Sequence, residues 1–158
     1  MTETLAGGAE MSARERVFVA LHAIIAQAMA LRVPAPHVMR EEPTPQTVPP
    51  GGLVMIADSG VIEQTAFMSP LTWQVEHEIS VTIVLSAVHI ERRAARLDEL
   101  VRDVIAAIVS DRTLGGAAVW VQPGAWEYAA PEIEGAEPLS AARLPIVVTY
   151  LASETPSS

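Results

Sequence analysis

A chain of 158 residues with a formal net charge of -9, no cysteine and half of its residues hydrophobic fits one domain able to bury a core without disulfides or metals. The missing cysteine excludes thiolate metal sites, redox motifs and thiol nucleophiles, and the acidic balance argues against a general nucleic-acid binder, which needs a basic face. The start lacks the basic and apolar runs of an export signal, and no apolar stretch reaches the about eighteen residues of a membrane span, so the expectation is a soluble protein of intracellular origin without membrane contact.

Residues 1–11 are small, polar and glycine-rich and are expected to be disordered. The domain then occupies residues 12–152, with a flexible tail at 153–158. Ser12 to Glu15 reads S-A-R-E, a capping box that satisfies free N–H groups at a helix start. The helix runs to about Arg32 and is stopped by Pro34 and Pro36. Val17, Phe18, Leu21, Ile24, Ile25, Ala28, Met29 and Leu31 form its apolar stripe at helical spacing. Its back carries Val19, Ala23, Ala26 and Ala30, small and apolar where a solvent face would be charged. Either another subunit packs on Ala23, Ala26 and Ala30, or alanine is there as an abundant and good helix former.

His37, Val38, Met39 and Arg40 suit a short strand, and the prolines of residues 43–52 make a stiff extended connection. Residues 53–62 resume as a strand, broken at Asp58, Ser59 and Gly60. They should pair, through a turn region at residues 64–70, with residues 73–88. There Trp73, Val75, His77, Ile79, Val81, Ile83 and Leu85 alternate with Gln74, Glu76, Glu78, Ser80 and Thr82, a period of two rich in β-branched residues. Sixteen residues at about 3.3 Å each span roughly 50 Å, more than a small core covers. The Trp73 end is therefore expected to stand out as a hairpin arm. Phe67, Met68 and Leu71 at its tip, with Trp73, are candidate subunit-interface residues.

A second helix is expected from about Arg92 to Asp111. Its stripe of Leu97, Leu100, Val101, Val104, Ile105 and Ile108 should cover the odd-numbered face of the long strand, and Gly115 and Gly116 supply its exit. Residues 117–122 read as a strand, Trp126 and Tyr128 as a short continuation, and residues 129–139 as a loop with Glu132, Glu134 and Glu137. Residues 142–152 read as a closing strand whose Pro145 favours its beginning or an edge position. The expected fold class is α+β: one mixed or antiparallel sheet of four to five strands with a long hairpin arm and two helices on one face.

Between Glu41 and Glu91 there is no basic residue, while seven carboxylates occur. Asp58, Glu63, Glu76 and Glu78 must then face solvent, line a water-filled opening, or meet a neighbour's arginines, Arg92, Arg93 and Arg96 being candidates. Catalytic chemistry finds little support. His22, His37, His77 and His89 sit in unrelated contexts beside no nucleophile motif. There is no H-E-x-x-H, dinucleotide loop or calcium loop, so no catalytic, metal or cofactor-binding residue is assigned and the chain is not expected to be an enzyme. His77 could ligate a metal with a carboxylate, but alternation sends Glu76 and Glu78 to the other face, which favours a packed or interface histidine.

The order of parts is distinctive: a capped Ala-rich helix, a Pro-rich connection, E-H-E-I-S-V at residues 76–81, LDELVRDVIAAIVSDRTLGG at 97–116, an aromatic strand, EGAEP at 134–138 and P-I-V-V-T-Y at 145–150. Over residues 12–152 this resembles the phage tail terminator family, the minor tail protein U type of long-tailed phages and gene transfer agents. The resemblance implies a structural protein that forms a ring, hexameric as in that family, on the tail tube, stops its polymerisation and offers the head-tail joining surface. Its implied partners are copies of itself, the tail tube protein and a head-tail connector or neck protein, with DNA passing through unbound. Its implied location is the tail of a virion or phage-like particle, assembled in the bacterial cytoplasm. Two alternatives stay open: another neck or tail component, such as a head-tail adaptor or tail tube subunit, and a soluble ligand-binding α+β domain with a pocket between sheet and helices.

Overall fold

Ser12 turns its hydroxyl onto a helix end. Its Oγ accepts from the Glu15 N–H at 3.1 Å, and helix α1 follows over Ala13–Met29. The computed structural model describes residues 11–40, 48–86, 90–129 and 139–153. The expectations for residues 1–10, the first part of the Pro-rich connection, most of the acidic loop and the tail beyond Ser153 lie outside them. Only half of the expected capping box forms, because the Glu15 carboxylate accepts two 2.7 Å bonds from Arg40 and does not return to the cap. α1 also stops short of Arg32. The last turn tightens to i→i−3 bonds at Leu31 and Arg32 ahead of Pro34, which leaves Leu31 86% exposed and outside the stripe.

Six strands follow in one mixed sheet. β1 (His37–Arg40) pairs in parallel with β2 (Leu53–Met68), and β2 pairs antiparallel with β3 (Leu71–Ser86). After helix α2 (Ile90–Ser110) come β4 (Trp120–Pro123), β5 (Glu127–Ala129) and β6 (Leu139–Ala152). The order across the sheet is β1-β2-β3-β6-β4, with β5 on β6 beside β4. The hairpin turn is tighter than expected, since β2 runs on to Met68 and only Ser69 and Pro70 separate it from β3. Nor does β3 stand out alone at its Trp73 end. β6 accompanies it from Ser86 as far as Trp73, which pairs with Ala152, so among the described residues the part without an outer neighbour is the distal half of β2.

Alternation along β3 divides the molecule. Val75, His77, Ile79, Val81, Ile83 and Leu85 are all buried, in one core with Val17, Phe18, Leu21, Ile25 and Met29 of α1 and Leu97, Leu100, Val101, Val104 and Ile108 of α2. Both helices therefore lie on the odd face, as expected, and Arg32 ties them by bonding Glu99 at 2.9 Å and Asp103 at 2.6 Å. No helix among the described residues is long and apolar enough to cross a membrane. Among the described residues the opposite face has no helix on it.

Pro145 departs from expectation, lying well inside β6. Its carbonyl accepts from the Gly124 N–H at 2.7 Å, so that residue's backbone faces the margin where β4 has ended and β5 has not begun. Its missing N–H falls where no strand needs it. The close crossing favours a glycine, because a Cβ on Gly124 would sit 3.1 Å from the Pro145 ring and 3.2 Å from its oxygen, a tight fit that the neighbour would have to ease.

The core placement sets a test. Val104 is fully buried while Ile105 only borders the core, so Val104→Asp strands a charge without a partner and should cost about 4 kcal/mol or more. Ile105→Asp should cost distinctly less. Chemical denaturation of both variants checks this, and equal losses would mean that the stripe is rotated.

Candidate functional site

Two features stand apart from the core: the bare outer part of the hairpin and a buried polar cluster at its base. Two β-bulges in β2 lie at the junction between them. The register with β3 slips between Asp58 and Gly60 and again between Val61 and Glu63, at the D-S-G break visible in the sequence. Gly60 adopts φ +101°, where a side chain would be strained. Its N–H donates to Asp58 Oδ1 at 2.8 Å, closing a short turn.

Up to the first bulge, Val54, Ile56 and Asp58 face the helices, opposite Ile83, Val81 and Ile79. Asp58 thus belongs to the interior side, which corrects its expected place among lumen-facing or inter-subunit acids. His77 Nε2 lies 2.5 Å from Asp58 Oδ1, and His77 Nδ1 lies 3.0 Å from the Tyr150 hydroxyl. Arg14 of α1 forms an ion pair with Asp58 Oδ2, and Phe18 stands edge-on to the His77 ring at 5.9 Å. Arg14 and Arg40 flank Phe18, their guanidinium carbons 5.0 Å and 4.6 Å from its ring centroid, a cation–π arrangement. His77 is buried with both ring nitrogens engaged, so the cluster fastens α1, β2, β3 and β6 together and holds out no free imidazole. Among the described residues no three His, Cys, Asp or Glu side chains gather as a metal site.

Beyond the second bulge the acids change sides. Glu63 pairs with Glu76 across the hairpin, so both point to the helix-free face, with Glu78 two residues along. Opposed like charges on neighbouring strands cost roughly 0.2–1 kcal/mol. Glu78 has relief within the chain from Arg143, 3.6 Å away, which also donates to Ser80 Oγ at 2.8 Å. The charge count between Glu41 and Glu91 could not see Arg14 or Arg143, because both lie outside that stretch of sequence. Of the suggested partner arginines, Arg96 already donates to the Pro34 carbonyl at 3.1 Å. Tyr150 was also missed, although the alternation of β6 would have placed it with Val148 and Ile146 on the buried face.

At the tip, Phe67 (50%), Met68 (77%) and Leu71 (51%) are open to solvent. Trp73 differs from its expected place with them: it is half-buried against the core, where β6 runs alongside. On the back of α1, Ala23 and Ala30 are exposed and Ala26 is partly covered.

Asp58 links this cluster to stability. Burial raises its pKa, but bonds from Arg14, His77 and the Gly60 N–H outweigh that and hold it at about 2, below the ordinary 3.8. A carboxylate depressed in the folded state stabilises above its unfolded pKa and loses that contribution as pH falls through the folded one. The loss should therefore occur between about pH 4 and pH 2 and amount to roughly 2 kcal/mol. Asp58→Asn should be less stable than the parent at pH 7, with the gap closing toward pH 2, as read by urea denaturation at a series of pH values.

No protein-family model and no curated protein matches this chain. Among solved structures it is similar to a chain in the virion of a native gene transfer agent particle. The two share 11% sequence identity over 94% of this chain and 100% of that one, with a TM-score of 0.36. A likeness at that score carries no functional weight, so a functional reading stands on the chain's own residues and surfaces.

Proposed function

We propose that this chain is a structural subunit of a phage or phage-like particle, one that assembles with copies of itself into a ring at the end of a tail tube. The ring would end tube growth and offer the surface for joining the head, as the tail terminator resemblance of residues 12–152 implies. The proposed role is mechanical, with no catalytic step, cofactor or membrane. Its partners would be the tube protein on one side and a neck or connector protein on the other, in the tail of a particle assembled in the bacterial cytoplasm. Hexameric closure comes from the resemblance alone.

The observation that carries the reading is the outer half of the hairpin. A single copy leaves Phe67, Met68 and Leu71 wet at its tip and the distal half of β2 without an outer neighbour. Covering whole side chains of this kind contributes roughly 1.5–3 kcal/mol each, and unprotected strand edges invite pairing. The acids fit the same picture. Glu63, Glu76 and Glu78 share the helix-free face, and a channel wall bearing them would repel phosphate and let DNA pass without sticking.

Two measurements test this. Replacing Phe67, Met68 and Leu71 together by Ser should leave a folded monomer and abolish the ring, as followed by analytical ultracentrifugation and circular dichroism. A parent chain that is monomeric at every concentration would instead favour the ligand-binding alternative. Changing Glu76 and Glu78 to Lys should leave rings intact while the particles retain their DNA or release it more slowly. Normal delivery from normal rings would return those acids to an ordinary solvated face.

A further inference from the structure

Taking the ring reading as its premise, this inference concerns how one copy meets the next. β1 covers only the first four residues of β2, so among the described residues the outer edge of β2 is bare from Ala57 to Met68. At the opposite margin β4 has a strand neighbour on one side only. The two edges without a further strand stand at the same height. Trp120 aligns with Thr149, Thr149 with Glu76, and Glu76 with Glu63, one row running across the helix-free face. β1 stands at the height of β5, clear of that row.

The two ends of the row carry opposite charge. Glu63 is exposed at the β2 end beside Glu76. At the β4 end the Arg112 guanidinium sits 4.6 Å from the Trp120 ring centroid and donates to the Val121 carbonyl at 3.1 Å and Gln122 Oε1 at 3.2 Å. Among the described residues no carboxylate forms a salt bridge with Arg112. Direction agrees as well. Three successive antiparallel pairings separate β2 from β4, so the two strands run opposite ways. A rotation about an axis parallel to the strands preserves direction. It would therefore bring β2 of one copy antiparallel to β4 of the next, with the helix-free faces turned the same way and Glu63 level with the Trp120 row. Pairing β2 with β2 of a second copy would instead bring two acidic margins together.

We infer that the bare β2 edge around Glu63 docks head to tail on the β4 margin of a second copy, extending the sheet from subunit to subunit, with Glu63 of one copy facing Arg112 of the next. The interface is heterologous, so each copy uses both margins and the sheet closes on itself as a ring.

The test is a charge swap followed by sedimentation velocity across a concentration series. Glu63→Arg and Arg112→Glu should each raise the concentration needed for assembly by about tenfold or more, and the two changes in one chain should restore it. Glu63 is exposed and forms no ion pair among the described residues, so E63R tests the link even where R112E disturbs the hold on Trp120. Rings of the parent chain together with normal assembly of E63R would overturn the pairing and leave the ring standing. A parent chain that never assembles would overturn the ring and the pairing with it. Loss of assembly in E63R but not in R112E would point to β2-on-β2 contact and overturn the head-to-tail arrangement, and loss in both without recovery in the double variant would overturn direct contact.

Discussion

β3 is paired on both sides along nearly its whole length, and its side chains can reach only two surroundings. From Val75 to Leu85 every odd residue is buried under the two helices, and the even positions look out from a face that no helix covers. Because a slip of one residue would exchange the two sets, this pairing fixes the place of everything else. α1 and α2 go to the odd side, the acids Glu76 and Glu78 go to the other, and β6 must keep Tyr150, Val148 and Ile146 inward. The long reach of the hairpin follows from the same strand, since sixteen residues in β3 oblige β2 to run as far as Met68 to meet them.

Much of this is legible in the sequence because periodicity is a local property. The two-residue period of β3, the helical stripes of α1 and α2, the serine cap and the short strand at His37 all come from neighbours a few positions apart, and the structure has them close to where they were expected. What could not be read depends on pairing across long separations. Pro145 looks like an edge residue on its own, and only the gap between β4 and β5 explains how the middle of β6 accepts it. Glu15 looks like half of a capping box, but Arg40 arrives from β1 and takes its carboxylate. Of the candidate site, the exposed tip was legible as an excess of strand over core, and alternation alone places Asp58 and Glu63, five positions apart on one strand, on opposite faces. What local pattern could not give was the enclosure of Asp58 by Arg14 from α1 and His77 from β3.

Those bulges separate two kinds of carboxylate with different uses. Before them, Asp58 is enclosed by Arg14, His77 and the Gly60 N–H, an arrangement in which each charge has a partner and the desolvation is met by hydrogen bonds. After them, Glu63 and Glu76 oppose each other across strands with no such enclosure, and the chain gains nothing in stability from placing them there. A residue pair that costs the isolated domain a little is better explained by what the isolated domain lacks.

Among the described residues, what it lacks is a strand beside the outer half of β2 and beyond β4. The core is built within one copy, from both helices, the odd face of β3 and the inward residues of β6. In the proposed ring, stability and assembly would fall to different parts of one sheet, the first to the rows under the helices and the second to the outer half of β2 and the row from Trp120 to Glu63. Bulges make the division workable. They carry β2 from a buried strand packed on His77 to an open one ending at an apolar tip, without breaking its pairing with β3 on either side. If the proposed ring forms, its subunit could fold before it meets another copy, because the contacts offered for assembly are not among those that hold the fold.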